Sequence, residues 1–185
     1  MTMTRRSIVA AILVAAAAGL ALVPGGAVRA ADKAVAGDVW KTTFSDGLLD
    51  AAGKAVSLDN LKGKLVAIYF SAHWCPPCKA FTPKLVAFRD KNEAELEVVF
   101  VSSDKSQQEK DKYMQETQMK WPTVPFRSKS GMDLKQKFGV RGIPTLVVLS
   151  PKGNTVSTTA RMEVTKDPDK CIEAWKKAAA EADKK

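Results

Sequence analysis

The stretch SAHWCPPCKAF, residues 71–81, contains two cysteines, Cys75 and Cys78, that are separated by two prolines. It follows the continuous apolar run LVAIYF at 65–70, which is typical of a β-strand buried on both faces. A helical pattern with a stripe of apolar residues comes after the cysteines. The sequence therefore predicts that Cys75 lies where a buried strand has ended and a helix begins.

The rest of the chain alternates between strand and helix patterns. Residues 47–64 predict an N-terminal β-hairpin. Further strands are predicted at 96–103, 145–149 and 155–159, and further helices after Ser106, at 132–138 and after Asp167. This order predicts an α/β fold in which helices flank a mixed central β-sheet on both faces. Catalytic groups are then expected at the carboxyl ends of the parallel strands.

The two cysteines have few partners with which to bind a metal. Structural zinc takes four ligands, and the chain offers only His73 and Cys171 besides the pair. Covalent haem attachment requires a histidine after the second cysteine, where Lys79 stands. A copper(I) site made of two thiolates stays open. A purely structural disulfide would close a loop too short to constrain the unfolded chain much.

Redox exchange agrees better with the predicted position of Cys75. Free N–H groups and the helix dipole at the amino end of a helix favour a thiolate, which is the reactive form of cysteine. Cys75 then attacks a partner's disulfide, and Cys78, one helical turn later, resolves the mixed disulfide. Because Pro76 and Pro77 lack N–H groups, we expect the pKa of Cys75 to be lowered only moderately, which suits a reductant better than a strong oxidant.

The amino terminus has the pattern of a secretory signal peptide. Two arginines precede an apolar run at 8–23, and small residues follow. We predict a signal peptide at 1–30 that is cleaved after Ala30, with Ala36 as the second choice. An uncleaved anchor is the alternative interpretation, and the export route, by the general or the twin-arginine pathway, stays open.

A loose lead-in at 31–43 and one folded domain at 44–185 are predicted to follow the signal peptide. Export predicts a periplasmic or secreted protein, in a compartment where disulfides persist. The chain has only three cysteines, which are too few for a disulfide framework. This combination indicates a protein that acts on disulfides rather than one that is held together by them.

The charge of the chain gives a weaker indication of its partners. The formal net charge is +9, and it falls to +6 without the three arginines of residues 1–30. No stripe of interleaved basic and aromatic residues indicates nucleic-acid binding, and a moderately basic surface supports only weak attraction to acidic partners. We expect a monomer that needs no cofactor or metal and has no stable membrane insertion after signal cleavage.

Four segments resemble one branch of a known superfamily. They are YFSAHWCPPCKAFTPKL (69–85), VSSD (101–104), WPTVPF (121–126) and GVRGIPTLVVLSPKG (139–153). In this order they resemble the tryparedoxin and nucleoredoxin branch of the thioredoxin superfamily, and the likeness extends over residues 44–177. The combination of W-C-P-P-C with a distant G-I-P-T is specific, whereas C-x-x-C alone would be weak. The resemblance implies a thioredoxin-like fold.

The resemblance also implies roles for five residues. Cys75 and Cys78 are the redox disulfide, with Cys75 as the nucleophile and Cys78 as the resolving thiol. Trp74 shields and orients the pair. Pro144 is a cis-proline that faces the cysteines, and Ile143 offers backbone hydrogen bonds to a bound peptide.

Proton transfer has no assigned group in this sequence. Thioredoxin has a buried aspartate where this chain, like the tryparedoxin branch, has Tyr69. Asp104, at the end of the second buried strand, is the nearest candidate acceptor. His73 could also tune Cys75, but we expect it to be an exposed loop residue.

Three further residues admit a structural interpretation. Cys171 is predicted to be a small packed hydrophobe rather than an intermolecular disulfide partner. Trp121 and Phe126 flank the loop with two prolines. They are expected either to pack in the core or to contact a partner at the rim of the site.

Together these inferences predict a thiol–disulfide oxidoreductase that reduces disulfides. Its expected partners are a disulfide-bearing protein substrate and an upstream thiol electron donor. Two alternatives stay open, a copper(I)-binding or metallochaperone protein and a thiol peroxidase.

Overall fold

The structure is a computed structural model in which residues 39–184 are described. The predicted signal peptide at 1–30 and both predicted cleavage sites lie outside the described residues. So does most of the predicted lead-in, of which only residues 39–43 are described.

A four-stranded mixed sheet forms the centre of the domain. Its strands are β3 (Leu65–Ser71), β4 (Leu96–Ser102), β5 (Thr145–Leu149) and β6 (Thr155–Ser157), in the order β4-β3-β5-β6. β3 pairs with β4 in parallel and with β5 in antiparallel orientation. All seven residues of β3 are buried, as the continuous apolar run predicts for a strand covered on both faces.

The predicted N-terminal hairpin consists of β1 (Leu48–Leu49) and β2 (Ala55–Val56), which pair antiparallel. Thr123 connects this hairpin to the main sheet. It forms one bridge to Leu49, with N–H···O distances of 2.8 and 2.9 Å, and a second bridge to Phe100 in β4. The loop with two prolines is therefore an integral part of the β-structure.

After the helical residues 39–43, the described part of the chain contains five α-helices and one short 3-10 helix. They are the 3-10 helix Leu58–Leu61, α1 (Pro76–Lys91), α2 (Gln107–Glu116), α3 (Lys129–Lys137), α4 (Ala160–Lys166) and α5 (Pro168–Ala182). The sequence patterns predict all the α-helices except α4. None of the helices between residues 39 and 184 combines the length and apolar character needed to cross a membrane.

The sheet separates two hydrophobic clusters, which confirms the prediction of helices on both faces. Side chains of β3 alternate between them: Ala67 and Tyr69 pack with residues of α1, α2, α4 and α5. Val66, Ile68 and Phe70 pack on the opposite face with the hairpin, α3 and the first described residues.

The first described residues belong to the folded domain. Residues 39–43 are helical, and the buried side chain of Trp40 stacks on that of Phe44 with ring centroids 6.0 Å apart. Val39 packs so closely against Gly153, which has a φ of +83°, that a Cβ atom at this position would overlap it. The hydrophobic core therefore begins before residue 44, the predicted start of the folded domain.

Candidate functional site

Cys75 is the N-cap residue of α1. Its Sγ accepts a hydrogen bond from the backbone N–H of Cys78, with an N···S distance of 3.3 Å. Pro76 and Pro77 occupy the first two helical positions and have no N–H to donate. The sulfur therefore lies at the positive end of the helix dipole with one backbone donor, as the sequence predicts.

The two cysteines are joined by a disulfide bond, with their Cα atoms 5.2 Å apart. Cys78 has no exposed surface, whereas Cys75 retains 3% of its surface. An incoming sulfur atom from solvent can therefore reach Cys75 more readily than Cys78. The geometry agrees with an attacking role for the first thiol and an internal role for the second.

The Ile143–Pro144 peptide bond is cis and lies beside the disulfide. The carbonyl oxygen of Ile143 is 3.8 Å from Cys75 Sγ, and the Ile143 side chain packs against the small cluster that contains both cysteines. An open groove of about 500 Å³, which we call the cis-proline groove, is lined by Pro77, Ile143, Pro144 and the arginines at 141 and 161. The structure thus brings together segments that are 68 residues apart in sequence.

Trp74 lies at the surface next to the disulfide. Its side chain is 54% exposed, and its Nε1–H donates a hydrogen bond of 3.1 Å to the carbonyl oxygen of Ser103. This bond fixes the indole to the loop that follows β4. The ring is therefore placed where it can contact a bound partner, and its shielding role stays a prediction.

A buried cluster of four hydroxyl groups lies behind Cys78. Thr82 Oγ1 donates to the carbonyl oxygen of Cys78 at 2.9 Å and shares hydrogen bonds of 2.8 Å with Tyr69 and 2.5 Å with Tyr113. Ser71 Oγ lies within 3.0 Å of the Tyr69 hydroxyl and 3.1 Å of the Tyr113 hydroxyl. All four side chains are fully buried. Of these four residues, the sequence singles out only Tyr69.

Tyr69 is the member of this cluster that, by the sequence resemblance, replaces the buried aspartate of thioredoxin. Burial raises the pKa of Tyr69 far above its ordinary value, and the nearby Tyr113 adds to this effect. Tyr69 therefore stays protonated at neutral pH and is a hydrogen-bond donor, not a proton acceptor.

Asp104 positions the loop that precedes the motif. One carboxylate oxygen accepts the backbone N–H of His73 at 2.7 Å, and the other accepts the Ser102 hydroxyl at 2.8 Å. Burial raises the pKa of Asp104, although these two hydrogen bonds oppose the rise. Its described contacts do not include either cysteine, so its predicted role as a proton acceptor stays a prediction.

His73 is paired and only 19% exposed, so the expectation of an exposed loop residue is wrong. Its Nε2 lies 2.8 Å from a carboxylate oxygen of Glu116, and its ring centroid is 5.5 Å from that of Tyr113. The hydrogen bond from His73 lowers the pKa of Glu116. The sequence could not show this contact because Glu116 lies 43 residues later.

The remaining candidates pack as structural residues for the most part. Cys171 is buried on α5, where burial raises its pKa to about 11, which confirms the prediction of a packed hydrophobe. Trp121 is buried in the core. Phe126 is partly buried and lines a surface cavity. Within residues 39–184, no group of three or more His, Cys, Asp and Glu side chains is arranged to bind a metal ion.

Comparison with known proteins identifies the family. Residues 63–155 match a family model described as thioredoxin-like. The chain is 45% identical over 118 residues to probable nucleoredoxin 1 of Arabidopsis thaliana, an alignment that spans 62% of this chain and 20% of that protein. It is 40% identical over 134 residues to mouse nucleoredoxin, which spans 70% of this chain and 30% of the relative. The chain thus matches less than a third of the length of these nucleoredoxins.

The tryparedoxins match over almost their whole length. Tryparedoxin of Trypanosoma brucei brucei is 40% identical over 132 residues, which cover 69% of this chain and 90% of the relative. The solved structure of tryparedoxin II from C. fasciculata superposes with a TM-score of 0.65 at 39% identity and covers 71% of this chain and 90% of its own. With its matching fold and paired cysteines, the chain belongs to the thioredoxin superfamily, in the branch of thiol oxidoreductases that contains the tryparedoxins and nucleoredoxins.

Proposed function

We propose that the protein is a disulfide reductase that uses the W-C-P-P-C segment as its active site. The observation that supports this most directly is the position of Cys75 as the N-cap of α1, with the Cys78 N–H directed at its sulfur. A thiolate at this position is stabilised by the hydrogen bond and by the helix dipole, and the thiolate is the nucleophile in disulfide exchange.

The reaction balances over two exchange steps. The Cys75 thiolate attacks one sulfur of the substrate disulfide, which forms a mixed disulfide and releases the other substrate sulfur as a thiolate that takes up a proton. The Cys78 thiolate then attacks the Cys75 sulfur, which forms the disulfide present in this structure and releases the second substrate thiol. Two electrons pass to the substrate, and an external dithiol must supply two electrons to restore the cysteines.

The cis-proline groove provides the surface for the substrate polypeptide. Ile143 presents its backbone next to Cys75 Sγ, and Trp74 lies exposed on the other side of the motif. A backbone segment beside the reactive sulfur favours main-chain hydrogen bonding to an extended peptide. We therefore assign substrate positioning to Trp74, Ile143 and Pro144.

Insulin reduction tests the proposal. The reduced protein is expected to turn over insulin disulfides with dithiothreitol as the donor, and Cys75→Ser is expected to abolish turnover. Cys78→Ser is expected to accumulate a mixed disulfide that mass spectrometry detects. Cys171→Ser is the matched control, because this thiol is buried on the last helix and is expected to be dispensable.

Two parallel assays separate the proposal from its alternatives. Tight stoichiometric copper(I) binding by the reduced protein without insulin turnover would favour a metallochaperone. Rapid consumption of peroxide by the protein would favour a thiol peroxidase.

The export of the protein is also a proposal, and it rests on residues 1–30 alone. In a periplasmic or secreted setting the donor would have to be a membrane or extracellular thiol protein. Expression of the full chain, cell fractionation and amino-terminal sequencing test this directly. A cytoplasmic protein with an intact amino terminus would remove the proposal of export and leave the proposed chemistry unaffected.

A further inference from the structure

A cavity of about 370 Å³ lies beside the active-site loop, between the end of β4 and α3. We call it the Asp104 cavity. The lining residues that matter for its chemistry are Ser103, Asp104, Phe126, Arg127, Met132 and Lys135. Its volume falls in the range of sites that bind small groups or side chains.

Two cations of this cavity have no ion-pair partner among residues 39–184. Lys135 donates from Nζ to the carbonyl oxygen of Ser102 at 3.0 Å; burial lowers the pKa of this lysine, and the negative charge of Asp104 opposes this only in part. Arg127 donates from one guanidinium nitrogen to the carbonyl oxygen of Lys105 at 3.1 Å. Both contacts use neutral acceptors, so most of the donors of these two groups stay available to an anion.

The one carboxylate of the cavity does not neutralise both cations. Each oxygen of Asp104 already accepts a short hydrogen bond, from the His73 N–H at 2.7 Å and from the Ser102 hydroxyl at 2.8 Å. The cavity is therefore lined by two cations and one carboxylate, which leaves one positive charge without a compensating negative charge in its lining. An added carboxylate would gain charge-assisted hydrogen bonds there.

The cavity shares a wall with the active site. The Ser103 carbonyl accepts the Trp74 indole N–H, and the Asp104 carboxylate accepts the backbone N–H of His73, two residues before Cys75. A polypeptide whose disulfide reaches Cys75 alongside Trp74 therefore extends toward the cavity. The exposed side chain of Met132, at 59%, and the ring of Phe126 offer apolar contacts for the methylene groups of an entering side chain.

We propose that the Asp104 cavity binds an acidic side chain of the disulfide-bearing polypeptide, with Lys135 and Arg127 as its charge partners. This inference rests on the proposed reductase function and adds a preference for substrates with an acidic residue near the reactive cysteine. The basic charge of the chain agrees with an acidic partner.

Paired synthetic peptide disulfides test the inference. One glutamate is moved stepwise away from the reactive cysteine on either side, and each peptide has a glutamine twin. At one of these positions the reduced wild-type protein is expected to show a kcat/KM about fivefold higher for glutamate than for glutamine, the effect of one partly exposed charge pair. The ratio is expected to fall toward one as salt is raised.

Three variants locate the preference. Lys135→Met and, independently, Arg127→Gln are each expected to reduce the glutamate-to-glutamine ratio toward one. Lys152→Met is the matched control, because Lys152 also donates to a backbone carbonyl but lies in the β5–β6 turn at the far end of the sheet. This control is expected to show the same glutamate-to-glutamine ratio of kcat/KM as the wild type. Thermal unfolding identifies a variant that fails to fold, in which case the other variant decides.

The outcomes separate the two proposals. If the wild type reduces both twins equally at every position, the acidic-residue inference is overturned and the reductase function stands. A preference that survives in both cavity variants, or that disappears in Lys152→Met as well, also overturns it, since another basic region or the overall charge would then be responsible. If no peptide is reduced, the proposed function fails and the inference with it.

Discussion

Restoring an N–H group to the start of α1 should make the Cys75 thiolate more stable. Cys75 is the N-cap, and the prolines at the next two positions leave the Cys78 N–H as the backbone donor to its sulfur, at 3.3 Å. An N-cap side chain accepts from the second or third helical N–H. Pro77→Ala therefore restores a donor at a capping position, whereas Pro76→Ala restores one at the first position, which does not cap.

The size of the effect follows from this added hydrogen bond. A hydrogen bond to a charged group contributes about 1.5–3 kcal/mol, and the lower end applies because sulfur is a weaker acceptor than oxygen. About 1.4 kcal/mol corresponds to one pKa unit. We expect Pro77→Ala to lower the pKa of Cys75 by about one unit and to raise the reduction potential of the pair by about 30 mV.

Thiolate absorbance against pH and equilibration with glutathione buffers measure these two quantities. The Cys171 thiol does not interfere near neutral pH, because burial raises its pKa to about 11. Pro76→Ala is expected to change both values much less than Pro77→Ala. Equal shifts in the two variants would refute the reasoning, since they would assign the effect to helix stability and not to a donor directed at the sulfur.

Three further predictions concern the rest of the fold. Thr82→Val removes three buried hydrogen bonds and should lower the free energy of unfolding of the oxidised protein by about 2–3 kcal/mol in urea titrations. Thr165→Val is its control, because Thr165 makes the same bond to the carbonyl four residues earlier but is exposed, and a similar cost for both variants would contradict the prediction. For Glu163, burial raises the pKa, but hydrogen bonds from two hydroxyls and an indole outweigh it and lower the pKa below 4.5. The stability that ionised Glu163 contributes is therefore complete above pH 4.5 and is lost as the pH falls through the lower pKa of the folded state. Below pH 4.5, the free energy of unfolding of Glu163→Gln should therefore depend less on pH than that of the wild type. With the reduced native protein near pH 7, iodoacetamide should modify Cys75 first and Cys171 at least about 100-fold more slowly than a free thiol, as followed by mass spectrometry; comparable rates would contradict the burial of Cys171.

The main strands and most helices could be predicted because their signals are local. The continuous apolar run of β3 marks a strand covered on both faces, and two helices begin at N-cap side chains that the sequence shows. The Ser106 hydroxyl accepts a hydrogen bond from the Glu109 N–H at 3.1 Å, as predicted. The Glu109 carboxylate, however, accepts the backbone N–H of Lys105, whereas in a capping box it would accept that of Ser106. The sequence does not predict helix α4, because this helix has only seven residues and the side chain of its N-cap, Thr159, makes no capping hydrogen bond.

The candidate site likewise combines features that a short stretch of sequence predicts with features that only tertiary packing creates. The cysteine pair and the start of α1 lie within one short segment, so their geometry follows from the sequence. The hydroxyl cluster does not, because Tyr69, Thr82 and Tyr113 belong to three different elements and meet only when the sheet and helices pack. A hydroxyl in a sequence also gives no sign of whether water or another buried hydroxyl will be its partner.

Sheet topology explains why the chemistry and the proposed recognition surfaces share one edge. The parallel pairing of β3 with β4 aligns Ser71 with Ser102, so the loops that follow both strands leave the sheet together. The antiparallel pairing of β5 aligns its first residue, Thr145, with Phe70, so the cis-proline segment enters at that same edge. The thiol pair, the Asp104 cavity and the cis-proline groove therefore lie beside three adjacent loops, and residues 124–128 and α3 complete the wall of the cavity. Because only the loop after β3 contains the cysteines, substitutions in the other two can change which polypeptide binds while the helix start that activates Cys75 is retained.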